Sequence, residues 1–510
     1  MTGTQNRVSG MPDTNNGPRP VKALVIALCL TGIFLRLYFY AIDRSLWIDE
    51  ARLALNLVNR SFLDLLKPLD FDQGAPIGFL LLEKTVMSLL GRSDYTLRLV
   101  PLLAGIASVP LVYATARRYT GKLASFTSLG LFALSPRLIY YSSELKQYST
   151  DVVMTLLLLF IVPECLEERP KPRAFVALGV AGSFAIWISH PTLFVSAGIL
   201  LTLGLAFALR KDSYRLLWVI GIGGLWTINL VLIYLISLQY LTANNTLLNF
   251  WSRGFAPLPP WSNFTWYYEA LGGMLHDPAG LPMSAITVSL LLLGVLSYAL
   301  RRWQLTFALL VPFLLTLIAS AFRNYPFSGR LLLFLIPLLL LLLAEGVERV
   351  RVSLLRVNRP MAFVVSAFLV VYLFYDPVIV TYKRLRSPPM GEHIKPLLAR
   401  VSRDRLGADS IYVYYGAGPA FEFYAPLYGF ARNDYILGSS ARNDPDKYLR
   451  DIDKLKGGRR VWFVFSHNCS WCAVNEQLFI LEHLDKIGLR RSEFLSDAAS
   501  LYLYDLTPLR

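Results

Sequence analysis

The chain has 510 residues, 55% hydrophobic and only 17% charged, with a mean hydropathy of +0.46. That balance excludes a string of ordinary soluble domains. A formal net charge of +15 would suggest nucleic acid in a soluble protein, but many of the Lys and Arg residues sit just outside apolar runs, so the charge reads as a topology signal and nucleic-acid binding is excluded.

Residues 1–21 are polar and are expected to form a disordered cytoplasmic tail. Arg7, Arg19 and Lys22 precede a first apolar run that ends Tyr40-Ala41-Ile42 with no small-residue cleavage site, so a retained first span is expected. Runs long enough to cross a bilayer lie at 22–42, 98–116, 122–141, 150–163, 174–190, 191–209, 216–241, 281–300, 303–322, 330–348 and 360–380. The run 75–91 differs: Pro76 opens it in the manner of a first-turn proline, and Glu83 and Lys84 stand at its centre. Each charge at mid-membrane costs roughly 2.5–3.5 kcal/mol. If this run lies along the interface, every basic cluster falls on one side: Arg117/Arg118/Lys122, Arg169/Lys171/Arg173, Arg210/Lys211/Arg215, Arg301/Arg302 and Arg349/Arg351/Arg356/Arg359. Eleven spans follow, with the N-terminus inside and the C-terminus outside.

A long first outer loop, 43–97, results. In it Ala51, Leu55, Val58, Phe62 and Leu65 recur at helical spacing, an amphipathic pattern suited to the interface, and 75–91 is a second such helix. Asp49 and Glu50 follow the first span, where carboxylates are costly unless they face water or a partner. Asp49 is also placed to cap the first amphipathic helix, and Glu50 favours its positive end. The loop after the third span, Tyr140–Asp151, is dense in hydrogen-bonding groups and lies on the same side by parity. So do Arg36, Arg98, His190, Arg323 and Arg330, which could snorkel or bind a lipid phosphate. The segment 242–280 is a further outer loop with Trp251, Trp261, Trp266, Tyr267 and Tyr268, a composition that also suits simple interface anchoring.

Beyond residue 385 the composition changes. Asp409–Tyr415 and Arg460–Ser466 read as buried strands, Pro445–Leu455 and Ala473–Ile487 as helices, and Leu501–Tyr504 as a last strand. A small α/β domain over 385–510 is expected on the outer surface. Gly416-Ala417-Gly418 is a turn and not a dinucleotide fingerprint. The four cysteines are too scattered for a disulfide framework; His467, Cys469, Cys472 and His483 form at best a weak zinc set, and Cys469 with Cys472 a possible local disulfide.

Three motifs in order carry a resemblance: Trp47-Ile48-Asp49-Glu50-Ala51, Ala75-Pro76 opening the interfacial helix, and Leu97-Arg98-Leu99-Val100-Pro101. With Ser143-Glu144-Leu145-Lys146-Gln147-Tyr148 and Tyr325-Pro326-Phe327-Ser328-Gly329-Arg330, they resemble the GT-C glycosyltransferases over roughly residues 30–350. The likeness is greatest to the glycosyltransferase family 39-like group, with its protein O-mannosyltransferases, lipid A aminoarabinose transferase and bacterial lipopolysaccharide-core relatives. Two departures stand out. The proline pair before the interfacial helix is reduced to Pro76, and His190 stands where many relatives carry a lysine.

The resemblance implies a GT-C catalytic module over 22–384 that transfers a sugar from a polyprenyl-phosphate donor to an acceptor hydroxyl, with inversion. The acceptor class stays open among glycolipid, polysaccharide and protein. Asp49, with Glu50, is the implied catalytic carboxylate; Arg98, Lys146 and Arg330 are implied to hold the donor phosphate; Glu144, Tyr148 and His190 to position sugar or acceptor. No cofactor is required, although the Asp49/Glu50 pair could hold a divalent metal. The expected setting is a bacterial inner membrane. A transporter or flippase is the competing class, but no internal repeat marks one. A non-enzymatic envelope-assembly protein is the third reading.

Overall fold

The computed structural model describes residues 19–441, 444, 446–468 and 475–507. Among the described residues eight helices are long and apolar enough to cross a membrane, and three shorter apolar helices (Lys122–Leu134, Pro172–Ile188 and Ala285–Arg301) occupy the remaining expected spans. All eleven expected runs therefore correspond to helices, and the chain is an integral membrane protein. Small residues bring some of these helices close. Gly294 and Gly346 each face a carbonyl of the other's helix so tightly that a Cβ at either position would overlap it.

The segment 75–91 forms a 14-residue helix, Ile77–Leu90. Just before it, Gln73 accepts a hydrogen bond from Lys146 at 2.7 Å; just after it, Arg92 donates to the Phe423 carbonyl of the C-terminal domain. Both ends thus rest on the same face of the molecule, and the helix does not traverse. Lys84 caps its charge on the Leu57 carbonyl at 2.7 Å, whereas Glu83 is fully buried with neither carboxylate oxygen bonded. Its neighbour in the loop, the helix Ile48–Asn59, ends before Phe62 and Leu65, which fall in and around a short 3₁₀ turn.

The C-terminal domain is a five-stranded sheet: β1 (Ser410–Val413), β2 (Ile436–Leu437), β3 (Val461–Ser466), β4 (Leu489–Ser496) and β5 (Ala499–Asp505), in the order β2-β1-β3-β5-β4. β1 runs parallel to β2 and β3, and β5 antiparallel to β3 and β4. The expected helices are there as Asp446–Asp453 and Glu476–Ile487. The sequence reading misses β4, whose side chains are almost all exposed and include Arg490, Arg491 and Glu493. That polarity is how an edge strand is protected, and it erases the strand signal. It also misses the helices Lys395–Asp404 and Gly418–Tyr424.

Alternation gives the sheet two distinct faces. Tyr412, Tyr414, Phe463, Phe465, Tyr502 and Tyr504 pack against the domain's own helices. Ile411, Val413, Trp462, Val464, Leu501 and Leu503 join a core shared with the first outer loop, including Leu46, Leu53, Leu57 and Phe79. The sheet domain is therefore packed into the membrane module. His467 and His483 are held by separate carboxylates, Glu392 at 2.6 Å and Asp453 at 2.7 Å, so they do not converge as a zinc pair. Cys469 and Cys472, and the tail over residues 1–18, lie outside the described residues.

Burial pushes the Glu83 carboxyl well above its ordinary pKa. Replacing it by an apolar side chain of similar length removes two unsatisfied oxygens. Glu83→Met should raise stability at neutral pH by about 1–3 kcal/mol. An unchanged or lower thermal midpoint would show that Glu83 has a polar partner in the folded protein.

Candidate functional site

Asp49 and Glu50 occupy the first turn of the helix Ile48–Asn59. Trp47, and not Asp49, is its N-cap residue, and no side chain of the local sequence caps it. The Ile48 N–H instead donates to Glu392 at 3.0 Å, from the segment leading into the C-terminal domain. The capping role expected of Asp49 is thus taken from 344 residues away, which frees Asp49 for other contacts.

Neighbouring helical residues point about 100° apart, and the two carboxylates diverge accordingly. Glu50 is fully buried and receives Arg98 in a bidentate pair, Nε at 2.8 Å and an Nη at 2.7 Å, together with the Leu145 N–H at 2.7 Å. Arg98 is itself 2% exposed and also donates to the carbonyls of Arg44 and Ser45 at 3.0 and 3.2 Å. In this structure the two residues expected to serve the phosphate and the catalytic step are instead engaged with each other as a buried pair. Asp49 and Glu50, the pair that could hold a divalent metal, each turn to a different arginine here.

Asp49 meets Arg330 at 2.6 Å, with the two side chains 18% and 20% exposed. The Arg330 guanidinium stands over the Trp47 ring at 5.1 Å and near Tyr148 and Trp251, both at 5.9 Å. Its Nε is enclosed with no hydrogen-bond partner. Below this pair lie Glu144 and Lys146. Glu144 accepts from Trp47 Nε1 at 3.1 Å through one oxygen, and its other oxygen is buried and unbonded. Lys146 reaches Gln73 at 2.7 Å. The ring of Tyr148 packs edge-on to Tyr141 at 5.1 Å.

Charge is graded across this cluster. Burial alone would raise the Asp49 pKa, but Lys146 and Arg330 outweigh it and hold the carboxyl below its usual value. Burial, with the Glu50 carboxylate nearby, pushes Glu144 up to about 7. Burial also lowers Lys146, against the pull of Asp49. One carboxylate is thus kept ionised at the surface and another is poised between its two forms beneath it.

Asp49, Glu144, Lys146, Tyr148 and Arg330 come together; His190 does not join them by any hydrogen bond among the described residues. Its Nε2 is enclosed without a partner, and burial lowers its pKa to about 4. Arg36 does not snorkel: it is fully buried, donating to the Gly32 carbonyl at 2.9 Å. Sequence reasoning missed Trp47, Gln73 and Trp251 as members of the cluster. Trp251 was visible only as one aromatic of a rich loop, some of whose members, such as Trp261 and Tyr268, are exposed. Among the described residues no group of three or more His, Cys, Asp or Glu side chains could hold a metal ion.

Residues 74–238, about a third of the chain, match the family model described as dolichyl-phosphate-mannose-protein mannosyltransferase. The chain is similar in structure to ArnT from Cupriavidus metallidurans in the apo state, with a TM-score of 0.53 and 14% identity, covering 94% of this chain and 97% of that one. It is also similar to the Archaeoglobus fulgidus oligosaccharyltransferase tethered to an acceptor peptide, with a TM-score of 0.53 and 12% identity over 95% of this chain and 74% of that one. No match is found among the curated proteins. The chain shares the fold of these two structures, which is the GT-C fold expected from the sequence.

Two stability predictions separate the structural carboxylate from the others. Glu50→Gln leaves Arg98 buried and uncompensated and should cost about 3–5 kcal/mol, whereas Asp49→Asn, partly exposed beside Arg330, should cost clearly less; equal thermal midpoints for the two variants would refute the assignment. Glu144 has its folded pKa raised, so its contribution is complete below the ordinary carboxylate range and lost as pH rises through about 7. The thermal midpoint should fall as pH rises from about 4.5 to about 7 and level off above that, and Glu144→Gln should flatten that slope. A slope unchanged in the variant would place the titration elsewhere.

Proposed function

We propose that the protein transfers a sugar from a polyprenyl-phosphate donor to an acceptor hydroxyl at the membrane face that carries the C-terminal domain. The observation that carries this reading is the Asp49–Arg330 pair, a partly exposed carboxylate and guanidinium at 2.6 Å over a floor of Glu144, Lys146 and Tyr148. The family description for residues 74–238 names a dolichyl-phosphate sugar donor, which is a polyprenyl phosphate, and supports the same donor class here. By charge asymmetry we assign this face to the outside of a bacterial inner membrane.

In this mechanism the donor phosphate binds Arg330, a planar fork suited to phosphate oxygens, with Lys146 as a second positive charge. Arg330 turning to the phosphate loosens its hold on Asp49 and makes that carboxylate a stronger base. Asp49 takes the proton of the acceptor hydroxyl while its oxygen bonds to the anomeric carbon from the face opposite the phosphate. The bond from that carbon to the phosphate oxygen breaks, its electron pair stays on the lipid phosphate, and configuration inverts. Arg330 and Lys146 stabilise the charge that develops there. Glu144 and Tyr148 position sugar or acceptor, and Glu50 with Arg98 holds the helix that carries Asp49. No metal is needed for these steps. The acceptor class is open between glycolipid, polysaccharide and protein.

General-base catalysis is worth roughly 10²–10⁴-fold. Asp49→Asn should lower glycan transfer by about that factor with the protein folded, measured by mass spectrometry of envelope glycolipids and glycoproteins from cells carrying each form. Arg330→Ala should weaken the use of the lipid donor. Normal transfer by the asparagine variant would end the general-base assignment, and unchanged donor affinity in the alanine variant would move the phosphate site.

A further inference from the structure

On the half of the membrane region away from Asp49, a groove of about 410 Å³ opens between the helices Pro172–Ile188 and Ser213–Ile233. Its lining is almost wholly apolar. Phe175 and Trp218 stack at 5.8 Å and 18°, making a rigid wall. Gly179 and Gly221 leave the space open: a Cβ on Gly221 would meet nothing within 4 Å, and one on Gly179 would make only ordinary contacts with Ile222 at 3.5 Å and Leu225 at 4.0 Å. The groove runs from Tyr214 to Leu225 along one helix, eleven steps or roughly 17 Å. That is close to half of the ~30 Å hydrocarbon core. It suits one acyl chain of one leaflet and is too short for a lipid that reaches the Asp49 face.

The charged rim is asymmetric. Lys171 and Arg173 flank the start of one helix, Lys211 and Arg215 the start of the other, with Arg169 and Arg210 close in sequence. The acids among them are Glu167, Glu168 and Asp212. Asp212 is engaged by Arg215 at 3.0 Å, and the same guanidinium donates to the backbone carbonyls of Glu167 and Glu168, tying the two loops together. Lys171, Arg173 and Lys211 are exposed and in no ion pair among the described residues.

We propose that this groove is a binding site for one anionic phospholipid. Its acyl chain lies along Gly179 and Gly221 against Trp218, and its phosphate and headgroup meet Lys171, Arg173 and Lys211. A zwitterionic lipid offers the same chain but no net charge for the rim, so the site selects by headgroup. The proposal is independent of the transfer reaction.

Trp218 supplies the readout. The full chain is placed in phosphatidylcholine nanodiscs containing, at equal mole fraction, either brominated-chain phosphatidylglycerol or brominated-chain phosphatidylcholine. The Trp218→Phe variant isolates the signal of that one indole. Brominated phosphatidylglycerol should quench Trp218 with at least about fivefold higher apparent affinity than the choline lipid, the factor expected from a single near-surface basic residue. Gly221→Phe fills open space and should abolish the Trp218 quenching. The exposed triple variant Lys171→Gln, Arg173→Gln, Lys211→Gln should make the two lipids equal, and it stays informative if Gly221→Phe folds poorly. Equal quenching by both lipids in the unaltered chain would overturn the headgroup selection. Quenching unchanged in a folded Gly221→Phe protein would overturn the groove as the chain's location.

Discussion

The buried Glu50–Arg98 ion pair is the constraint on which the rest of the site depends. Taking both charges out of water costs several kcal/mol per ion, and only good geometry with further hydrogen bonds offsets that cost. Here the geometry is bidentate, and the Leu145 N–H and the carbonyls of Arg44 and Ser45 complete it. These partners come from four segments: the residues just after the first span, the helix Ile48–Asn59, the start of the second span, and the loop after the third. One pair therefore fixes all four against one another. Because it is satisfied only when all are in place, the site forms as a unit or not at all.

The neighbouring position gains its character from the same arrangement. With Glu50 turned inward, the helical twist sends Asp49 toward the surface, where Arg330 and Lys146 keep it ionised. Glu144 sits deeper, and the Glu50 carboxylate adds to the burial that raises its pKa. Two carboxyl groups within one cluster are thus pushed in opposite directions, the pattern by which one site holds both a proton acceptor and a proton carrier. The free Nε of Arg330 and the aromatic rings around it give an incoming anion a preformed, partly dry seat.

Much of the fold was legible because the membrane imposes long apolar runs and asymmetric basic flanks, and Glu83 and Lys84 forbade one extra crossing. Asp49, Glu144, Lys146, Tyr148 and Arg330 could be gathered on one face by parity alone. What parity could not show is pairing. Arg98 and Arg330 look alike in sequence, each at the end of a span, yet one is buried on Glu50 and the other is partly open beside Asp49. Only the 100° turn between positions 49 and 50 separates the structural acid from the exposed one, and it becomes readable only once the start of the helix is known. Gln73 and Glu392 carry no pattern at all, since their partners are 73 and 344 residues distant. β4 was hidden because an exposed edge strand is written in charged residues.

The C-terminal domain bears on the site more directly than an appended outer module would. Glu392 accepts the Ile48 N–H in the first turn of the helix bearing Asp49, and His467 holds the other Glu392 oxygen at 2.6 Å. Tyr424 accepts the Leu46 N–H at 2.8 Å and donates to Asp94, and Ser45 bonds His393 at 3.0 Å. Residues 45, 46 and 48 thus have polar groups satisfied from the domain or the segment leading into it, while its aliphatic sheet face completes the core beneath. Separating the domain would leave N–H groups of that turn unpaired and an apolar sheet face in water, both unfavourable. The same contacts that seat the domain therefore hold the start of the Asp49 helix in place.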